Sequence, residues 1–453
     1  MGNTITPRTL SGFMELPPQE QMLFDEVRRR LEEVYRSFGF FSIDTPVLEY
    51  SEVLLAKGGG ETEKQIYRFT KGDTDMSMRF DLTVPLAKYV AKNYGQLTFP
   101  FKRYQIGKVY RGERAQKGRF REFYQADIDI IGDGQLGIAN DAEIPAVICQ
   151  AFSALGLDDF TIRINNRKVL NGLFEMLGMK DLAVDVMRTI DKLEKIGRGE
   201  VTKELLALGM EEDRVRTLLD LLSFQAENGA VLEKLGTLAG KNEVFDAGVS
   251  ELESVLRLSA GFGVPQDRIR IALTIARGLD YYTGTVYETT FNRHPEIGSI
   301  CSGGRYDNLA GYYTDRQLPG VGMSIGLTRL FYILNERKYL NDAWSAPADV
   351  LIIPMVKDVQ PAVAVSATLR RAGIRTQIYL EEKKFKHKIG YADKLRIPFA
   401  VFLGEDELNA GKLTLKDMRT GEQQTLTAEE AIALIRRDVE ERAALHCIRV
   451  PED

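Results

Sequence analysis

Between Arg277 and Glu288 the chain reads RGLDYYTGTVYE, a string that no packing pattern requires. Tyr281, Tyr282, Val286 and Tyr287 have strand propensity, and Thr283-Gly284 allows a turn or bulge beside them. A tyrosine pair can enclose a flat ring while its hydroxyls read polar edges. A neighbouring guanidinium can clamp a carboxylate or phosphate with two hydrogen bonds. The competing reading is a hairpin whose tyrosines pack a core and whose Arg277 pairs with Asp280. A second concentration of charge runs from Lys102 to Arg121. There Lys102, Arg103, Lys108, Arg111, Arg114, Lys117, Arg119 and Arg121 face a single acid, Glu113. Such density suits phosphate, or else a solvated hairpin tip. Arg111 falls within a strand-like alternation rather than at the tip, as a positioned cation would.

Acidic groups flank this run. Alternation puts Asp81 and Thr83 on one side of a short extended stretch, and Gln125, Asp127 and Asp129 on one face of a strand. A carboxylate beside an amide and a hydroxyl suits an ammonium group or a ring N–H, with salt bridges to nearby arginines as the alternative. The glycine-rich run from Gly320 to Arg329 lacks the spacing and the βαβ context of a dinucleotide fingerprint. Its glycines instead fit a strand lying close under a flat ligand, with Arg329 entering from the next helix.

The elements that must position these groups follow from periodicity. Gln21 to Phe38 has helical spacing, and Phe40 to Val47 reads as a strand closed by Pro46. Two strand-like runs lie between Arg103 and Ile131, which predicts an α+β domain with an antiparallel sheet flanked by helices. From about Asn165 to Gly263 the texture becomes that of a helical insertion, and strand patterns resume at Ile269. Asn341 to Ala348 reads as a linker. Beyond it, apolar strands at Val350–Ile353, Thr376–Tyr379 and Phe399–Leu403 alternate with helical stretches, a separate C-terminal α/β domain. The expected division is residues 1–340, a linker at 341–348, and 349–453.

At 453 residues the chain needs more than one core, and its 44% hydrophobic and 28% charged residues are ordinary for a globular protein. A net charge of −5 excludes a strongly basic nucleic-acid coat but not a local patch. Three dispersed cysteines argue against a disulfide framework, and with three dispersed histidines they give no zinc spacing. No run approaches a membrane span and no signal-like apolar segment opens the chain, so a cytoplasmic location without membrane contact is expected.

Taken together, these motifs resemble those of the class II aminoacyl-tRNA synthetases, and within them the histidyl-tRNA synthetase family. The helix and strand ending at Pro46 are similar to the family's first motif, a dimer-interface element. Tyr110 to Phe123 resembles the second motif and Gly320 to Arg329 the third. RGLDYYTGTVYE and Ser302-Gly303-Gly304-Arg305-Tyr306-Asp307 resemble the two histidine-specific signatures, and the C-terminal domain resembles an anticodon-binding module. Thr328 departs from the pattern, since Glu often precedes the third-motif arginine in this class.

The resemblance implies activation of L-histidine by ATP with Mg2+, and transfer to tRNA(His) by a homodimer. Arg111, Arg277 and Arg329 would be catalytic, with Arg111 on the α-phosphate and the histidine carboxylate. Arg329 would meet the γ-phosphate, and Arg277 the α-phosphate from the opposite side. Glu113 would position adenine. Asp81, Thr83 and Gln125 would take the α-amino group, Asp129 and Tyr282 the imidazole, and Tyr281 the pocket wall. Arg114 and Gln116 would meet the tRNA acceptor end, and Lys383, Lys384, Lys386 and Lys388 are a candidate anticodon-stem patch. No protein-bound zinc is implied. The alternative within the same resemblance is an inactive regulatory subunit of ATP phosphoribosyltransferase.

Overall fold

The computed structural model describes residues 4–56, 61–114, 118–276 and 281–451. It divides into two compact units, one of residues 1–14 and 30–337, the other of residues 15–29 and 338–453.

The first unit is built on an eight-stranded sheet. Its strands are β1 (Phe41–Ser42), β5 (Phe101–Tyr110), β6 (Glu122–Ile131), β7 (Phe160–Asn166), β8 (Ile269–Ile271), β9 (Thr285–Phe291), β10 (Ser299–Tyr306) and β11 (Gly320–Ile325). The spatial order is β1-β5-β6-β11-β10-β9-β7-β8. Every pairing is antiparallel except the two at the edges, β1 with β5 and β7 with β8. The remaining strands β2 (Leu48–Tyr50), β3 (Arg68–Lys71) and β4 (Thr74–Met78) form a small separate sheet. One patch of core joins helix Thr83–Asn93 to the sheet through Leu86, Val90, Phe101, Ile131, Tyr306 and Leu309, with Tyr281 and Tyr282 packed on it.

The predicted helical segment lies between β7 and β8, with helices from Arg167–Met176 to Glu243–Gly261. Asn166 and Asn242 cap the first and last of these through their side chains, accepting from Lys168 N and Phe245 N. The strand expected over Phe40–Val47 is only the two residues Phe41–Ser42, because Pro46 and the exposed Asp44 interrupt pairing along the edge.

The second unit has a five-stranded sheet made of β12 (Val350–Pro354), β13 (Thr376–Ile378), β14 (Phe399–Leu403), β15 (Leu413–Asp417) and β16 (Gln423–Leu426). The first three pair in parallel and the last two add on antiparallel. Val350, Ile352 and Val401 feed a cluster on one face, while Leu351, Ile353 and Ala400 feed one on the other. Burial on both faces explains the continuous apolar runs of β12 and β14.

Candidate functional site

The site grows from the register of four central strands. Asp129 on β6 stands opposite Arg103 on β5 and Gly322 on β11, and Gly322 stands opposite Gly304 on β10. One step along, Gln105, Asp127, Ser324 and Ser302 form the next row on the same face. The glycines are what make room. A β-carbon on Gly322 would lie 2.3 Å from Asp129 Oδ1 and 2.3 Å from the Ile128 carbonyl oxygen, and one on Gly304 would lie 2.8 Å from the Tyr282 ring. Only a bare backbone lets the carboxylate and the tyrosine close over the strands.

Two adjoining cavities result. The smaller, 220 Å³, is lined by Asp81, Thr83, Arg111, Gln125, Asp127, Asp129, Tyr281, Tyr282 and Tyr306 among others. The larger, 380 Å³, is lined by Arg111, Glu113, Arg119, Phe120, Phe123, Gln125 and Arg329 among others. Arg111, Gln125, Ser302 and Ser324 belong to both. Arg111 follows the end of β5 rather than lying within it. Its guanidinium is 4.2 Å from the Phe80 ring centre and 5.1 Å from that of Phe123, and its Nε donates to the Phe80 carbonyl at 3.3 Å. Among the described residues it has no carboxylate partner, and burial lowers its pKa against the pull of Asp81 and Glu113. Arg329, on helix Leu327–Glu336, is tethered by the Ile297 carbonyl, and its pKa is lowered by burial and by Arg119.

The smaller cavity is acidic at its floor. Arg103, fully buried, lies 2.5 Å from Asp129 Oδ2, and the Tyr306 hydroxyl donates to Asp129 Oδ1 at 2.6 Å. Burial still pushes the Asp129 carboxyl up to about 6. Burial raises Asp127 to about 7, opposed by Arg103 and a hydrogen bond to Ser324 and reinforced by Asp129 and Asp81. Asp81 is likewise raised by burial, and its Oδ1 accepts from Val84 N at 2.9 Å. The Tyr281 hydroxyl bonds Thr83, and the Tyr281 ring sits edge-on to those of Tyr282 and Tyr306 at 5.1 and 5.7 Å.

Several expectations need correction. Asp81 and Thr83 do not share an extended stretch, because Thr83 is the first residue of a helix, and a turn rather than alternation brings both to the cavity. Tyr281 and Tyr282 precede the strand, which begins at Thr285. Part of the basic run is spent on contacts within the fold. Lys102 pairs with Glu143 at 2.7 Å, Lys108 with Glu122 at 2.8 Å and Arg103 with Asp129, while Arg121 donates to the Glu113 carbonyl. Arg114 is exposed and lines neither cavity, and Arg277, Asp280 and Gln116 lie outside the described residues. Lys388 is drawn from its cluster to the Pro354 carbonyl at 3.1 Å.

Residue types alone left Asp127, Ser302, Ser324 and Arg103 unassigned. Asp127 was detectable from alternation, but its pairing with Ser324 needed the register of β6 on β11. Arg305, inside the second signature, turns away from the ligand space to a buried ion pair with Asp141 at 2.6 Å. Thr328, where the pattern departs, is buried and accepts from Tyr124 N at 2.8 Å, fastening β6 to the helix that carries Arg329.

Comparison with known proteins shows the family to which this fold belongs. Residues 12–330 match the family described as histidyl-tRNA synthetase, and residues 349–438 match the anticodon binding domain. A histidine--tRNA ligase of Clostridium tetani is 54% identical over 433 residues, covering 95% of this chain and 98% of that one. One from Finegoldia magna is 48% identical, with 94% and 99% covered. The crystal structure of histidyl-tRNA synthetase from a Nostoc species superposes with a TM-score of 0.89 at 41% identity, covering 96% of this chain and all of that one. A Bacillus halodurans structure described as an ATP phosphoribosyltransferase regulatory subunit/histidyl-tRNA synthetase is 21% identical and covers 86% of this chain and 97% of its own, with a TM-score of 0.72, which shows the shared fold alone. The regulatory-subunit alternative is therefore the weaker, and with a family match across the catalytic sheet and close relatives along nearly its full length, the chain belongs to the histidyl-tRNA synthetase family.

Proposed function

We propose that this chain activates L-histidine with ATP to histidyl-adenylate and transfers histidine to the terminal ribose of tRNA(His). The observation that carries the residue roles is Arg111, an aromatic-stacked cation lining both cavities with no carboxylate partner among the described residues. In-line attack of a carboxylate on the α-phosphate brings two anions together, so a fixed cation at the junction both aligns them and offsets their repulsion. Histidine occupies the smaller cavity and ATP the larger. Arg111 then meets the α-phosphate and the carboxylate, Arg329 the γ-phosphate, and Glu113 the adenine. Arg277 is assigned the opposite side of the α-phosphate by resemblance.

Asp81, Thr83 and Gln125 receive the α-amino group, while Asp129 and Tyr282 receive the imidazole and Tyr281 closes the wall. A site of paired polar groups rejects side chains that lack the ring nitrogens, because it would leave those groups buried and unpaired. Glu113 is the one carboxylate among the larger cavity's described lining residues, so magnesium arriving with ATP would keep mainly phosphate oxygens and water as ligands. That ion would supply further positive charge to the phosphates.

Residues 1–340 serve as the catalytic domain, 341–348 as a linker and 349–453 as the anticodon-binding domain. Arg114 and Gln116 meet the acceptor end of the tRNA. Exposed Phe41, Leu48, Tyr50 and Phe69 around the first motif support a homodimer. No described helix is long and apolar enough to cross a membrane, and we assign the enzyme to the cytoplasm. The test is ATP–pyrophosphate exchange with magnesium. Exchange should depend on histidine and fall by orders of magnitude in Arg111→Ala while the thermal midpoint holds. Exchange without histidine dependence overturns the function, and near wild-type exchange in Arg111→Ala overturns the role of that residue.

A further inference from the structure

The acceptors on the pocket face of β6 are unequally satisfied. Asp129 has both oxygens engaged, one by Tyr306 and one by Arg103. Asp127 and Gln125, two and four residues earlier on the same face, do not. Asp127 Oδ1 and Gln125 Oε1 are both buried without a hydrogen-bond partner, although both residues line the smaller cavity. Their other atoms are tied into one chain. Gln125 Nε2 donates to Ser324 Oγ at 2.7 Å, and the Ser324 hydroxyl, with its single proton, bonds the Asp127 carboxylate. That chain fixes the amide so that its carbonyl, and not its NH2, is the group left open.

A carboxylate 2% exposed with an unmatched oxygen is costly to keep, and an apolar residue of similar volume would be more stable there. Its presence in a lined cavity points to a ligand that brings the missing donors. We propose that Asp127 contacts the amino-acid substrate directly, its Oδ1 accepting from the α-ammonium together with Gln125 Oε1, and that Ser324 is the positioning residue that aims both. The inference rests on the reading of this cavity as the histidine site and adds a contact that the family resemblance did not supply.

A count of donors selects the ammonium over the imidazole. Two neighbouring acceptors stand open, successive same-face residues of a strand being roughly 7 Å apart at their α-carbons. An ammonium carries three N–H donors and can bridge both side chains, whereas a ring N–H fills only one. The placement agrees, since Gln125 lines both cavities and so stands near Arg111, where the carboxylate of the same α-carbon is held.

The test separates the two ends of the substrate. Histidinol keeps the ammonium and the ring, and imidazolepropionate keeps the ring and the carboxylate but has no amine. Each is measured as a competitive inhibitor of histidine-dependent pyrophosphate exchange in the full-length wild type and in Asp127→Asn. The expected result is about a tenfold or greater rise in the histidine KM and the histidinol Ki, the scale of one charge-assisted hydrogen bond. The imidazolepropionate Ki and the ATP KM should stay within about twofold.

Equal weakening of both inhibitors, or no change in either, overturns the ammonium contact. Should Asp127→Asn unfold, Ser324→Ala keeps the carboxylate and removes its orienting donor. It should give the same selective pattern at smaller amplitude, and an unselective loss would again overturn the proposal. Absence of histidine-dependent exchange in the wild type would instead defeat the functional reading itself.

Discussion

Arg103→Met tests the electrostatic floor of the site. Arg103 is wholly inaccessible and its guanidinium lies 2.5 Å from Asp129, with Asp127 and Asp81 also drawing on its charge. Methionine keeps much of the stem volume, so the change removes the cation more than the packing. Stripping one partner from a buried pair leaves an uncompensated charge, a loss of about 3–5 kcal/mol. At roughly 2–4 °C per kcal/mol the thermal midpoint should fall on the order of 10 °C.

The pH dependence follows from linkage. The folded Asp129 carboxyl sits at about 6, above the value of about 3.9 in an unfolded chain. Through that window the folded state holds a proton that the unfolded chain has released, so its stabilising contribution is complete at low pH and is lost as pH rises through the folded pKa. Without Arg103, the strongest influence holding Asp129 down, that pKa climbs and the loss continues toward neutrality. The deficit of Arg103→Met relative to wild type should therefore be small at pH 5 and greatest near pH 8. Adding Asp129→Asn should recover part of it, the remaining pH dependence following Asp127, which Arg103 also holds down. Thermal or urea unfolding at several pH values reads this directly. A deficit under about 1 kcal/mol at pH 8, or one that does not change with pH, would refute the argument.

Two further outcomes follow from the same geometry. Gly322→Ala forces a β-carbon to 2.3 Å from Asp129 Oδ1 and the Ile128 carbonyl, so stability should drop by about 1–3 kcal/mol and the histidine KM should rise far more than the ATP KM. Parallel changes in both KM values would show that the strand adapts elsewhere. Thr328→Val removes the acceptor of Tyr124 N and should cost about 1–3 kcal/mol in unfolding. A raised ATP KM at unchanged stability would instead make Thr328 a nucleotide contact.

The sequence by itself determined the family and nominated most of the candidate site residues. Alternation put Gln125, Asp127 and Asp129 on one face of β6, and the order of the arginine motifs carried the family resemblance, because side-chain period and residue type are local properties of the chain. The apolar runs of the C-terminal unit were legible for the same reason. β15 and β16 were not, since Leu413–Asp417 and Gln423–Leu426 mix polar and apolar residues and pair only where β14 offers an edge.

What only the tertiary structure decided is which charges remain available. Eight cations crowd the run from Lys102 to Arg121, and residue types alone could not tell Arg111, stacked between two rings, from Arg103, committed to Asp129. Nor could they show that Gly322 is glycine to admit that carboxylate, or that Thr328 holds a backbone amide. Partnership between groups far apart in sequence is fixed by strand register and helix docking, and burial then sets whether a charge is spent on the fold or left for a ligand.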